Sequence, residues 1–318
     1  MHSFKKLKIV AWVIIFVLVF KAADFALYPC TFTRNDIHTV TKEYHDDIFI
    51  GTSHGKMSLC PDEIDKVTGR KSHNLCVGGE YPKDAYHLVR LLEEKQLPKR
   101  IIYEVDPGYF MVEKEQGNNY MLFYHEYPFS KAKAEYFKNS MISCDIRTMI
   151  MPWYEYDLKY ELNNIKDTVR KKLNNDYSEE SLRSDNQRYY KDGFIERYPV
   201  DISGDKVTVQ HLFYEKDIKE SNIYYLNKII DFCKEKGIEF VAVTTPLPDV
   251  TLNTFSENFY NAEKYFEDFF GSKNVEYYNF NGEYHDYALH DISVFTDYDG
   301  HMNGEGARAF SRIFSIFL

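Results

Sequence analysis

Residues His45-Asp46-Asp47-Ile48-Phe49-Ile50-Gly51-Thr52-Ser53-His54-Gly55 decide the fold of this chain. Ile48-Phe49-Ile50 is short, β-branched and aromatic with polar flanks, the pattern of a buried strand. It runs straight into Gly51-Thr52-Ser53, so a serine stands at the carboxyl end of a strand, between two glycines, where the backbone must turn sharply. Open α/β sheets place their chemistry at that edge. Taken alone, the stretch reads equally well as an ordinary strand-to-helix turn with Thr52 or Ser53 as N-cap. The far end of the chain shifts the weighing. Phe295-Thr296-Asp297-Tyr298-Asp299-Gly300-His301-Met302-Asn303 sets acids and a histidine before a last amphipathic helix. A serine, a histidine and an acid are the parts of a nucleophilic acyl-transfer site.

Outward from the opening stretch the chain alternates. Asn74-Leu75-Cys76-Val77-Gly78-Gly79-Glu80 reads as a second strand ending in a glycine pair, and residues 83–95 as a helix stopped by Pro98. Arg100-Ile101-Ile102-Tyr103-Glu104-Val105-Asp106-Pro107-Gly108 reads as a third strand closed by a Pro-Gly turn. After a gap the alternation resumes with a helix over 218–236 capped by Gly237, a strand over 238–246, a helix over 258–270, a strand over 275–280 and a helix over 304–317. This predicts an α/β fold, a three-layer α/β/α sandwich around a central parallel sheet. Residues 30–45 read as an extended lead-in and 56–65 as a short helix or loop. Between about 109 and 218 the pattern breaks, with helices over 132–141 and 156–173 and a polar, aperiodic stretch over 176–204. That segment reads as an insertion over the carboxyl edge of the sheet, a lid or partner-facing surface and not a second sheet domain.

The 318 residues are 44% hydrophobic, enough for a sizeable core over 30–318. A formal charge of −10 speaks against nucleic acid as a partner, since phosphates call for clustered Lys and Arg. Cys30, Cys60, Cys76, Cys144 and Cys233 form no metal-binding spacing and read as free thiols, with a Cys60–Cys76 bridge as the alternative. The first 29 residues stand apart. His2, Lys5, Lys6 and Lys8 precede an unbroken apolar run from Ile9 to Phe20, which reaches membrane-spanning length when continued past Lys21 and Asp24 to Tyr28. This reads as an uncleaved single-pass anchor in preference to a signal peptide, with the basic end in the cytoplasm and residues 30–318 outside the cell.

The motifs resemble those of the SGNH/GDSL hydrolase superfamily. Gly51-Thr52-Ser53-His54 resembles its first block, Asn74 to Gly79 its second, and Asp299-Gly300-His301 its last. The resemblance covers about 45–110 and 220–318. It implies Ser53 as nucleophile, His301 as base, and the amides of Ser53 and Gly79 as oxyanion donors. The superfamily spaces its acid three before the histidine, but position 298 is Tyr. Asp299 is therefore the expected acid, because Gly300 permits a tight turn back onto the ring, and Asp297 is the alternative. His54 is a candidate substrate-binding residue. Where the third block carries an Asn donor, this chain has Asp106. The resemblance implies no cofactor, and no histidine pair has the spacing of a zinc site. One anchor and an outward SGNH domain are similar to membrane-anchored acyl-transfer proteins of Gram-positive bacteria, such as the D-alanyl transfer proteins of teichoic-acid modification. The implied activity is that of a serine esterase or O-acyltransferase on acyl esters of a cell-surface polymer or glycan. The alternatives are a non-catalytic, polymer-binding partner of a multispanning membrane O-acyltransferase, and a secreted lipase or small-ester esterase.

Overall fold

Ile48 and Ile50 face one side of the central sheet and Phe49 the other, and all three are buried. The computed structural model describes residues 2–117, 120–151, 153–154, 162–174, 179 and 182–318. Helices α1 (His2–Leu27) and α2 (Phe32–Lys42) lead into β1 (Asp47–Ile50). Helices α3 (Ser53–Ser58) and α4 (Pro61–Thr68) connect it to β2 (Ser72–Asn74), and α5 (Pro82–Glu93) connects β2 to β3 (Arg100–Glu104). The insertion carries α6 (Met121–Tyr124), α7 (Lys131–Tyr136), α8 (Leu162–Leu173) and the hairpin of β4 (Gln187–Tyr189) and β5 (Ile195–Arg197). Then α9 (Glu220–Lys236), β6 (Glu239–Thr244), α10 (Asp249–Thr254), α11 (Ser256–Lys273), β7 (Glu276–Asn279) and α12 (Gly304–Phe314) complete the chain.

Five strands pair in the order β2-β1-β3-β6-β7, all parallel. Parallel neighbours need crossover helices, which cover both faces and leave two apolar cores. One core joins Ile48, Ile50, Ile101 and Tyr103 to Leu88 and Leu92 of α5, Ile229 of α9 and Phe266 of α11. The other joins Phe49, Ile102, Val241 and Val243 to Ile64 of α4 and Phe310 and Phe314 of α12. The α/β class and the five strands expected from the alternation are therefore present.

Three local expectations are corrected. Residues 32–42 form a helix, not an extended lead-in, capped by the Thr31 side chain on the Arg34 amide. Its buried face includes Thr33 and Asp36, so polarity hides its period. The second strand ends at Asn74 rather than running to Glu80, although the Leu75 and Val77 amides still bond Phe49 and Gly51 of the first. The stretch read as aperiodic holds a two-stranded hairpin, whose turn bonds back to the sheet through the Asn74 amide on the Asp192 carbonyl. The hairpin is an extension of the main core, not a separate one: Phe194 belongs to the second apolar cluster. Most of the first half of the helix expected over 156–173 lies outside the described residues.

A buried ion pair fixes α3. Lys56 Nζ lies 2.7 Å from Asp36 Oδ2, with the two side chains 2% and 1% exposed, and also donates to the Asn74 carbonyl. Tyr189 and His73 complete the shell of Asp36 at 2.6 and 3.2 Å. Among the described residues, one helix, within Lys5–Leu27, is long and apolar enough to cross a membrane. Its apolar side chains from Ile9 to Val19 have no protein covering. We expect Lys56→Met to destabilise the fold by about 3–5 kcal/mol, because it strands a buried carboxylate. The Lys56→Met/Asp36→Leu double variant should recover much of the loss, as read from chemical denaturation of the purified chain.

Candidate active site

The turn after β1 brings the backbone against β3. Gly51 has φ of +155°, and a Cβ there would stand 2.6 Å from the Cβ of Glu104, so glycine is required on both counts. Thr52 then caps α3 with its hydroxyl on the His54 amide, and donates its own N–H and O–H to Glu104 Oε2 at 2.7 and 2.8 Å. Ser53 is the first residue of the helix, where the backbone amide has no intrahelical acceptor. Asn74 holds the helix from beneath: its Nδ2 donates to the Gly55 and Leu59 carbonyls, and its Oδ1 accepts from the Cys76 amide.

The loop before α12 reaches this turn from 248 residues away. His301 Nε2 lies 2.8 Å from Ser53 Oγ, and its Nδ1 lies 2.7 Å from Asp297 Oδ2. The expectation that Asp299 folds back on the ring is corrected: the carboxylate on His301 is Asp297. The reason is the loop's closure. Phe295 and Met302 form an antiparallel bridge, the Thr296 amide bonds the His301 carbonyl, and Gly300 takes φ of +109°. Asp297 Oδ1 then collects the amides of Asp299, Gly300 and His301 at 3.0–3.1 Å. Burial works against the Asp297 carboxylate, but the His301 ring and backbone amide, with the charge of His54 behind them, hold it down at about 2. Asn303 caps the following helix on the Gly306 amide.

Asp299 has a different position. Its Oδ1 accepts from the Gln210 amide at 2.8 Å, tying the end of the insertion to the loop. The same strap is fixed by Tyr298 Oη donating to the Ile202 carbonyl and by the close packing of Gly108 on His211. Beneath it a pocket is lined by His54, Asp106, Tyr109, Phe213, Leu247, Phe259 and Asp299, among others.

His54 is buried and packs on the His301 ring, with centroids 4.5 Å apart. Its Nδ1 lies 3.2 Å from Asp106 Oδ2, while its buried Nε2 has no hydrogen-bond partner and stands 4.0 Å from Asp299 Oδ2. Burial opposes the imidazolium, yet Asp106, with Glu104 and Asp299 behind it, raises the His54 pKa to about 10. Burial also pushes the Glu104 carboxyl up to about 7, against the opposing pull of His54. The His54–Asp106 pair and the Glu104–Thr52 contacts were missed in the sequence. The usable signal is that β1 and β3 are neighbours, so residues just past their carboxyl ends must meet.

Gly78 lies against the turn that carries Ser53, where a Cβ would stand 3.7 Å from that of Ser53. Gly79 follows in the same turn, closed by the Glu80 amide on the Val77 carbonyl. Among the described residues, two trios offer ligand atoms within metal-binding reach, His54/Asp299/His301 and Asp249/His285/His290. In the first, both His301 nitrogens are engaged by Ser53 and Asp297; in the second, both His290 nitrogens face the carbonyls of Leu247 and His285. No disulfide joins the cysteines among the described residues. No protein-family model matches the chain, and no match is found among curated proteins.

The raised His54 pKa has a stability consequence. A cation whose folded pKa lies above its ordinary value of about 6.5 contributes stability that is fully present below that value and lost as pH rises through the folded pKa. We expect the melting-temperature gap between the protein and His54→Gln to be widest below about pH 6.5 and to close as pH rises through about 10. A gap independent of pH would mean that His54 is held neutral.

Proposed function

We propose that the chain is a membrane-anchored serine esterase or O-acyltransferase of the SGNH type, acting on acyl esters of a cell-surface polymer or glycan. One observation carries this reading: Ser53 Oγ, His301 and Asp297 stand in a continuous hydrogen-bonded line at 2.8 and 2.7 Å. A serine hydroxyl is a weak nucleophile until a base in contact takes its proton. His301 Nε2 is placed to accept it as Oγ attacks an acyl carbon, and then to return it to the leaving oxygen. Asp297 holds the opposite N–H, which selects the tautomer and stabilises the imidazolium. The Ser53 and Gly79 amides are the donors proposed for the oxyanion. Asp106, where the superfamily has its Asn, cannot donate as a carboxylate. It instead holds His54 as a cation packed on His301, so positive charge stands beside the site where negative charge develops. Transfer to a second hydroxyl or to water completes the cycle. The insertion's 202–213 strap, pinned to Asp299, is read as the lid of the acyl pocket.

The substrate class follows from the anchor reading of α1. Lys5, Lys6 and Lys8 at its amino end support a domain outside the cell, where anchored acyl chemistry would meet envelope polymers, teichoic acid among them. A second reading rests on Asp106: with no Asn donor, the domain would serve as a non-catalytic partner of a multispanning membrane acyltransferase.

A fluorophosphonate probe separates the two. We expect the purified full-length chain to be labelled at Ser53, and Ser53→Ala and His301→Ala each to lose labelling, with the double variant losing little more. Asp297→Asn should lower the rate by about 10⁴-fold through the wrong tautomer. Asp299→Asn should cost far less, because it leaves an oxygen that can still accept from the Gln210 amide and removes only the 4.0 Å charge attraction to His54. Absence of labelling in folded wild-type chain would favour the non-catalytic reading.

A further inference from the structure

We propose that the insertion carries a second membrane contact: an apolar and basic surface formed by Phe129, Ile146, Ile150 and the last turn of α8, resting on the anionic lipid surface around the domain-side end of α1. This rests on reading α1 as a membrane span.

The apolar run of α1 reaches Phe20 and is continued past Lys21 and Asp24 to Tyr28, so the stretch from Phe20 to Tyr28 is the domain-side end of the span. At that level the insertion closes on it. The Trp153 ring stands 6.4 Å from that of Phe20, at the depth where tryptophans concentrate in membrane proteins. Phe129 and Ile150 line one cleft together with Phe20, Lys21 and Asp24. Phe129, Ile146 and Ile150 are 75%, 64% and 63% exposed, whereas the Phe and Ile side chains of β1 and β3 are almost fully buried. Single exposed aliphatics need no explanation, but a group of them continuous with a membrane-spanning helix does.

Charge favours lipid over a protein as the occupant. The chain carries a net −10, so an acidic domain close to an anionic bilayer is repelled unless cations are concentrated at the contact. Arg170, Lys171 and Lys172 occupy the last turn of α8, which packs along α1. Lys172 Nζ donates to the Phe25 and Tyr28 carbonyls, fixing this basic turn beside the end of the span. Aliphatic and aromatic side chains to enter the interface and cations to meet phosphodiester headgroups thus stand beside the Phe20–Tyr28 end of α1.

The test uses the full chain in lipid nanodiscs containing phosphatidylglycerol and no other protein, with the partly exposed Cys30 and Cys144 replaced by serine. A bimane label is placed on Ile146→Cys or Phe129→Cys, with Phe16→Cys in the span and Tyr260→Cys on α11 as references. Lipids carrying a nitroxide high on the acyl chain report proximity. We expect loss of most emission at 146, 129 and 16, and none at 260. Quenching at 16 without quenching at 146 and 129 overturns the inference and leaves the anchor standing, and would direct the surface to a protein partner. No quenching at 16 removes the anchor and the inference together. Replacing phosphatidylglycerol by phosphatidylcholine should weaken quenching at 146 and 129 while leaving 16 unchanged.

Discussion

The ion pair between Lys56 and Asp36 is the constraint on which the geometry of the candidate site rests. A fully buried ammonium is tolerated only when paired and hydrogen-bonded, and Lys56 finds both in Asp36 and the Asn74 carbonyl. Those partners come from α2 and from the end of β2, so the pair locks the short helix bearing Ser53 against two other segments. Burial alone would raise the Asp36 pKa, but Lys56 and His73 outweigh it and keep the carboxylate charged. Tyr189 then extends the lock to the hairpin of the insertion. A six-residue helix has little stability of its own. The direction of its first turn, and therefore of the Ser53 hydroxyl, is set by this buried charge and by the amide of Asn74.

The opposite edge of the sheet is closed by a similar device. Arg100 and Asp47 pair at 2.6 Å with both side chains fully buried, and Arg100 also donates to the carbonyl of Leu318. The first residue of β1 and the last residue of the chain thus share one cation. This brings α12 and the loop before it into fixed relation with β1. The 2.8 Å contact between Ser53 and His301 depends on such long-range fastening, because neither residue has a local reason to face the other.

What was legible in the sequence was whatever follows a simple period. Ile48-Phe49-Ile50 alternates between two cores, and the helices that cover them show apolar faces at helical spacing. Ser53 and His301 were legible because a parallel sheet directs its chemistry to one edge. Asp297 was not preferred, since spacing along a loop does not determine which carboxylate reaches a ring. The decision is made by Asp297 Oδ1 gathering three successive amides and by the Phe295–Met302 bridge, neither of which has a periodic signature. Helix α2 was hidden because its buried face carries the polar Thr33 and Asp36, the latter serving the ion pair. The hairpin was hidden because Gln187, Arg188, Glu196 and Arg197 are polar, and its anchoring falls to Tyr189, Phe194 and Ile195.

Asp106, where the resembled superfamily carries an Asn, and His54, directly after Ser53, look unrelated along the chain. In space they are one interaction, Asp106 on His54 at 3.2 Å. A carboxylate at 106 has no proton to offer a developing oxyanion, and a neutral imidazole at 54 would offer little charge. Together they make a buried imidazolium whose second N–H has no protein acceptor and which packs against the His301 ring. An Asn amide supplies a dipole; this pair supplies a cation held in place by a buried anion, with Glu104 and Asp299 balancing it. Asp299 is then doubly placed, 4.0 Å from His54 and bonded to the Gln210 amide. Lifting the strap would expose that carboxylate to water and weaken its hold on the cation. The charge state of the site and the position of the strap are therefore coupled through a single side chain.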